Sequence, residues 1–350
     1  VLLPEPDAML RAGKEVPLTW HGKASLALLA AAIILWITEV VPFTVTALLV
    51  MLLIPVFGIE SFKEVVSTGF GNQVITFMLG VLALSAAFTR SGLGERLGHL
   101  VLALVGTRTR MVILGFLVAG ALLSMWITDM AVAAILMPLG VSVLRKAGVR
   151  PMASNFGKGL MISCAWGPLF GGIATPSGCA PNPLTVGFLR ELANIEIDFV
   201  TWMSLGLPAA VLMVPAGWLV ILAVFPPEIE RLPVTPNSVR RELETRGPLA
   251  AAEKWTAAIF VLTVAAWIFS PTLAEATGGR VRLPIQAVAL GGALLLFLPG
   301  IDALAWKQAQ ADVDWGGIVL ICAGVALGMA VFNSGAARWL SWAIMEPVFR

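Results

Sequence analysis

The sequence predicts an all-α polytopic membrane protein in which a re-entrant hairpin and a broken helix interrupt the run of spanning segments. Three observations predict it. Of the 350 residues, 58% are hydrophobic and 13% charged, with a mean hydropathy of +0.90, which leaves too little polar surface for a soluble globule. Apolar stretches that can cross a hydrocarbon core of ~30 Å, about 20 helical residues each, recur with short polar breaks. Asp129 and the run Pro176–Asn182 set a carboxylate and helix-breaking residues between such stretches. Lipid penalises both: an aspartate at a helix centre costs about 2.5–3.5 kcal/mol on insertion scales, and irregular backbone is tolerated there only when buried in protein or lining water.

In chain order the expected spans are 24–39, 43–59, 72–90, 111–127, 130–144, 159–175, 183–190, 203–225, 255–273, 283–299 and 315–332. Val1–Leu3 followed by Pro4 has the pattern of the tail of an apolar helix, so a fragment is expected at this end. Two apolar stretches meet at Trp126-Ile127-Thr128-Asp129-Met130 without loop residues to reach the far side of a membrane. The expectation is a re-entrant hairpin, about 111–146, with its polar tip inside the protein. Three glycines and three prolines crowd Gly171–Pro183, too many for one continuous helix, and Thr175, Ser177 and Asn182 accompany them. A helix broken within about 159–190 exposes backbone groups for binding, where a simple kink needs only one proline.

Arg90, Arg96, Arg108, Arg110, Arg145, Lys146, Arg150 and Lys158 flank the hairpin, whereas Glu191, Glu196 and Asp198 follow the broken helix. The hairpin is therefore expected to enter from the cytoplasm, against which Arg11, Lys14, Lys23, Arg280 and Arg282 fall on the outer side. Residues 226–254, with Arg231, Arg240, Arg241, Arg246, Lys254 and five glutamates, read as a cytoplasmic linker. It separates a first repeat, 1–225, from an incomplete second, 255–350. Pro42, Ala47, Leu48, Gly58, Ile59 and Glu60 match Pro284, Ala289, Leu290, Gly300, Ile301 and Asp302 at one offset of 242, and Gly80–Arg96 resembles Gly324–Arg338 at an offset near 243. Repeats joined by a linker are a plan of secondary transporters, each half lending a broken helix to a midplane site, so an inverted-repeat transporter is expected. The counterpart of Asp129 would fall at about residue 372, which places the second hairpin and second broken helix past Arg350.

Three motifs in order, Trp36–Pro42 with Thr46-Ala47-Leu48-Leu49, Ser124–Ala131 and Ala174–Asn182, resemble the divalent anion/sodium symporter family over essentially the whole chain. The resemblance implies a homodimeric, eleven-helix inverted-repeat carrier that moves a small divalent anion, dicarboxylate, citrate or sulfate, with sodium by an elevator motion. It also implies an integral protein of the bacterial inner membrane, with no cofactor beyond the coupling ion. Ser124, Thr128, Asp129 and Gly178 stand where the family coordinates sodium, and Asp129, Met130 and Cys179 where it contacts the anion. Pro181 and Asn182 belong to the same substrate-side motif. The family's Ser-Asn-Thr tip is here Thr128-Asp129-Met130, and its Gly-Thr-Pro-Pro-Asn is Gly178-Cys179-Ala180-Pro181-Asn182. Two hydroxyls are gone and a carboxylate has arrived.

An asparagine donates to an anion and accepts from sodium, whereas an ionised aspartate only accepts and repels an anion. Asp129 is therefore expected to couple transport to a cation, sodium or a proton, while half-helix N-termini and backbone N–H groups hold the anion. Glu39 precedes Pro42 at a helix end, where it caps or pairs. His99 lies in the amphipathic stretch Leu93–Val105 and His21 beside Trp20, both remote from the hairpin. Trp126 and Trp166 flank the site segments as packing residues or interface anchors. Cys164, Cys179 and Cys322 lie in apolar segments without CxxC spacing, which points to buried small side chains rather than a disulfide or a metal.

The net charge of +2 and the absence of a basic tract exclude nucleic acid as a partner. An intramembrane enzyme is excluded because no second catalytic group accompanies Asp129; Asp7, Asp198, Asp302, Asp312 and Asp314 sit at loops or ends. A channel, or a transport-inactive fragment, is the alternative expectation.

Overall fold

The computed structural model describes residues 9–11, 14–16, 18–103, 106–149, 153–232, 247–301 and 303–349. The expectations at Val1–Pro4, Arg150, Asp302 and the 233–246 part of the linker lie outside them. The chain opens with two short antiparallel strands, β1 (Met9–Arg11) and β2 (Lys14–Val16), with Met9 opposite Val16. These depart from the all-helical expectation, since three-residue strands are too short to leave an alternation pattern. Among the described residues, every other regular element is helical. In order come α1 (Trp20–Thr38), α2 (Phe43–Val56), α3 (Phe62–Gly69), α4 (Gln73–Arg90), α5 (Leu93–Ala103), α6 (Thr109–Ser124), α7 (Asp129–Lys146), α8 (Asn155–Gly172), α9 (Pro181–Ala193) and α10 (Phe199–Val224). After 247 follow α11 (Ala251–Ala276), α12 (Ile285–Leu295), α13 (Trp306–Asp312), α14 (Trp315–Asn333) and α15 (Ala336–Phe349).

Each of the eleven expected spans carries a helix; α3, α13 and α15 were not expected. Among the described residues, 20–38, 199–224, 251–276, 315–333 and the stretch 62–90 are long and apolar enough to cross a membrane, and the chain is an integral membrane protein. The helix starts follow local chemistry. Thr19, Ser154, Asp198 and Asp314 each accept a backbone N–H of the following turn, and Ser61 with Glu64 forms a capping box on α3. The starts of α12, α13, α14 and α15 follow those of α2, α3, α4 and α5 by 242, 244, 242 and 243 residues. Left-handed glycines fall in the same places, Gly58 and Gly300 behind α2 and α12, Gly92 and Gly335 ahead of α5 and α15.

The chain divides into two compact units. The first holds residues 1–75 and 314–350. Here α14 packs against α1, α2 and α3, with α15 against α14 and α1. A Cβ on Gly69 would lie 2.9 Å from the Cys322 carbonyl oxygen, so only glycine permits that approach of α3 to α14. Asn333 donates to Glu60 at 2.9 Å. Glu39 is the left-handed C-cap of α1 (φ 50°), its N–H bonded to the Leu35 carbonyl.

The second unit, residues 76–313, contains the segments 111–146 and 159–190. Its larger core gathers Phe116, Leu117, Leu136, Phe156 and Leu160 from α6, α7 and α8, all fully buried. A second core joins Phe77 and Val81 of α4 to Ala289 of α12, beside Phe199 stacked on Trp267 at 4.9 Å. Arg96 of α5 forms a bidentate ion pair with Glu253 of α11, their side chains 15% and 5% exposed. Arg90 pairs with Asp312 at the surface. His99 is buried, with Nδ1 2.8 Å from the Glu95 carbonyl, a local helical contact.

Candidate functional site: two helix ends and a break

Helices α6 and α8 approach through small residues. Gly167 and Gly171, four apart on α8, face Leu117 and Ala121 of α6, and a Cβ on Gly171 would clash with the Ala121 carbonyl. Gly120 returns the contact, an added Cβ there falling 2.8 Å from the Pro168 nitrogen. Such small-xxx-small spacing lets backbones touch. Leu117 meets Gly167 and Ala121 meets Gly171, so the helices run parallel and in register. Their C-termini, Ser124 and Gly172, therefore finish at one level. Each C-terminus carries the negative end of a helix dipole and unused carbonyls, so the pair favours a cation.

Met125–Thr128 form the turn of the hairpin, and α7 begins at Asp129. The polar tip expected over Trp126–Met130 is thus shorter: Asp129 is the first residue of a helix, where a carboxylate complements the dipole. Its Oδ1 accepts the Met130 N–H at 2.9 Å. Thr128 is the N-cap, but its side chain makes no capping bond. The Met130 side chain is 77% exposed.

Helix α8 stops at Gly172 and α9 starts at Pro181. Helix α8 thus ends three residues before the span 159–175 assumed, and residues 173–180 between the two helices are non-helical. Asn182 rebuilds the missing hydrogen bonds. Its amide donates to the Gly172 and Thr175 carbonyls, both at 2.7 Å, and its Oδ1 accepts the Cys179 thiol at 3.1 Å. Thr175 and Ser177, 3.0 Å apart, both donate to the Met125 carbonyl and so tie the break to the hairpin turn. Trp202 of α10 donates Nε1 to the Ile173 carbonyl at 3.0 Å.

Ser124 lies in this arrangement, fully buried, and among the described residues its Oγ has no hydrogen-bond partner. A Cβ built on Gly172 would sit 3.3 Å from that Oγ and 3.5 Å from the Gly178 carbonyl oxygen; one on Gly178 would meet the Ser124 carbonyl at 2.6 Å and clash with that of Gly172. The Gly178 carbonyl and the Ser124 hydroxyl thus lie about the space beside Gly172, and the Ser124 and Gly172 carbonyls about that beside Gly178, space that only glycines leave open. Carbonyl oxygens and a hydroxyl oxygen are ligands that suit a small hard cation. Of the residues expected from sequence, Ser124, Gly178, Cys179 and Asn182 are brought together around Gly172. Met130 and Pro181 are exposed beside them. Gly172, Thr175, Ser177 and Trp202 were not expected as site residues. The two hydroxyls stand out in an apolar background, whereas nothing in sequence marks Trp202.

Several apolar helices of membrane-spanning length define a polytopic membrane protein. The chain belongs to the sodium:sulfate symporter family, whose transmembrane region is matched by residues 2–348. That is a family of transporters, not of enzymes. The chain is 28% identical over 356 residues to a "Membrane protein" of Cupriavidus necator, covering 97% of this chain and 66% of that protein. It is 29% identical over 338 residues to the sodium-dependent dicarboxylate transporter SdcS of Staphylococcus aureus, covering 92% of this chain and 65% of that protein. The chain spans about two thirds of the length of these curated relatives.

Proposed function

We propose that the protein moves a small divalent anion, dicarboxylate or sulfate, together with sodium. The observation that supports this reading is the Ser124 hydroxyl, buried and without a hydrogen-bond partner among the described residues, beside Gly172 where the two helix C-termini and the Gly178 backbone converge. Ser124, Gly178 and the start of α7 at Thr128 and Asp129 would hold sodium, which supplies positive charge next to the anion. Negative charge is favoured where α7 and α9 begin, so Met130, Cys179, Pro181 and Asn182 border the anion position. Asn182 takes part by holding the break, its polar atoms being engaged within the chain.

The finer architecture belongs to the same proposal. The hairpin 111–146 is re-entrant, and 1–225 and 255–350 are inverted repeats joined by the 226–254 linker. Alternating access is of elevator type in a homodimer of the bacterial inner membrane. The 242–244-residue spacing of helix starts and the paired left-handed glycines support the repeat. Asp129 stands where a cation neutralises it, by sodium or by a proton.

The test is uptake of labelled succinate and sulfate into proteoliposomes carrying the complete gene product. Saturable uptake that follows an imposed sodium gradient, and changes its sodium and pH dependence in Asp129→Asn, is expected. Uptake indifferent to the gradient overturns sodium coupling, and a flux that never saturates identifies a channel.

A further inference from the structure

Arg108 and Arg231 face each other across an isolated antiparallel bridge. The bonds that hold it run from the Thr109 N–H to the Glu230 carbonyl, 3.1 Å, and from the Leu232 N–H to the Thr107 carbonyl, 2.9 Å. This makes the two arginines a non-hydrogen-bonded pair, with Cα atoms about 4.5 Å apart and side chains on one face. Like charges so placed destabilise the pairing. Both arginines are exposed, and among the described residues neither forms an ion pair. The nearest acids do not neutralise them: Glu230 alternates to the opposite face, and Glu228 uses its carboxylate on the N–H groups of Asn155 and Phe156.

The bridge joins the start of α6 to the chain just beyond α10, at the polar ends of two apolar helices. Leu219, Val220 and Val224 of α10 are exposed there, and Trp218 donates its indole N–H to the Arg110 carbonyl at 2.9 Å. An indole with exposed aliphatic neighbours marks headgroup depth. Helix α6 has no side-chain cap and no acid in its first turn, and Arg110, exposed, stands in that turn. Its N-terminus therefore adds favourable potential for an anion. Guanidinium groups present paired donors that match phosphate oxygens. We infer that Arg108 and Arg231, supported by Arg110, bind the phosphate of an anionic phospholipid. The lipid relieves a repulsion built into the bridge and clamps the base of α6 to the end of α10, remote from the cation position at the other end of α6.

The experiment is thermal unfolding of the detergent-purified complete gene product with phosphatidylglycerol, phosphatidylcholine or millimolar inorganic phosphate. Phosphatidylglycerol is expected to raise Tm by several degrees more than phosphatidylcholine, and inorganic phosphate to leave it unchanged. The double variant R108Q/R231Q is expected to lose the increment. Arg231→Glu turns the repulsion into an attraction; it is expected to melt no lower than the native protein without lipid and to ignore phosphatidylglycerol. An undiminished lipid increment in either variant overturns the inference, as does an equal shift with inorganic phosphate, which would mean a site for free anions.

Discussion

The Asn182 side-chain amide donates to the Gly172 carbonyl at 2.7 Å, and its second hydrogen reaches the Thr175 carbonyl at the same distance. One residue of α9 thus satisfies backbone that α8 leaves open. Asn182→Ala takes the side-chain donor from the Gly172 carbonyl and leaves the Thr175 carbonyl only the Gly178 N–H at 3.3 Å, and a loss of about 1–3 kcal/mol is expected. A fall in Tm of several degrees checks it, and Asn182→Asp should be at least as damaging, since a carboxylate offers no donor to either oxygen.

Ser124→Ala should behave in the opposite way. Removing a buried hydroxyl that bonds to nothing leaves stability unchanged, or raises it by up to about 1 kcal/mol, in sodium-free buffer. Native protein should gain Tm with added sodium by mass action, and the variant should not. Thermal unfolding in sodium against choline salts separates the two. A sodium response that persists in the variant would remove Ser124 from the cation position.

Gly178→Ala should abolish uptake while the protein still inserts and is recovered from membranes. The added methyl clashes with the Gly172 carbonyl and lies 2.6 Å from that of Ser124. Uptake normalised to purified protein is the measurement.

Glu253→Ala takes the bidentate acceptor from Arg96, which keeps only the Gly247 carbonyl at 3.0 Å, and removes the carboxylate that also accepts the Ala250 N–H at 2.8 Å. A fall in Tm is expected. The double variant R96M/E253L should recover a large part of it, as a double-mutant cycle on Tm would measure.

The Asn155 and Phe156 N–H groups, helped by nearby Lys158, hold the Glu228 carboxyl below its usual range. Its contribution to stability is thus complete above the ordinary carboxylate value of ~4.3 and fades as pH falls through the lower folded value. Native protein should lose Tm on acidification below about pH 4 more steeply than Glu228→Gln, whose side chain does not titrate.

The helical spans, and the helix ends near 124–129 and 172–181, were legible because a carboxylate and prolines stand out against apolar sequence. Asp129, Pro176 and Pro181 mark them without help from tertiary structure. Their detail was not. Asp129 was placed in the turn, yet it opens α7, because a helix N-terminus accommodates a carboxylate and Met125–Thr128 suffice to reverse the chain. Residues 173–175 were counted as helix, but the Thr175 and Ser177 hydroxyls reach across to Met125, a contact some 50 residues away in sequence that no local pattern encodes. Gly167 and Gly171 were visible as small residues, while their partners on α6 were not. The Trp202 bond to Ile173 is equally silent, since an indole in an apolar helix looks the same whether it faces lipid or a broken backbone.

Helix α14 packs against α2 and α3 although roughly 240 residues separate it from α3. During synthesis at ~5–20 residues per second, α1, α2 and α3 spend some tens of seconds in the bilayer before that partner emerges from the ribosome. Their assembly is therefore post-insertional, and substitutions on the α14-facing side of α2 or α3 should tell first on yield and turnover in the cell.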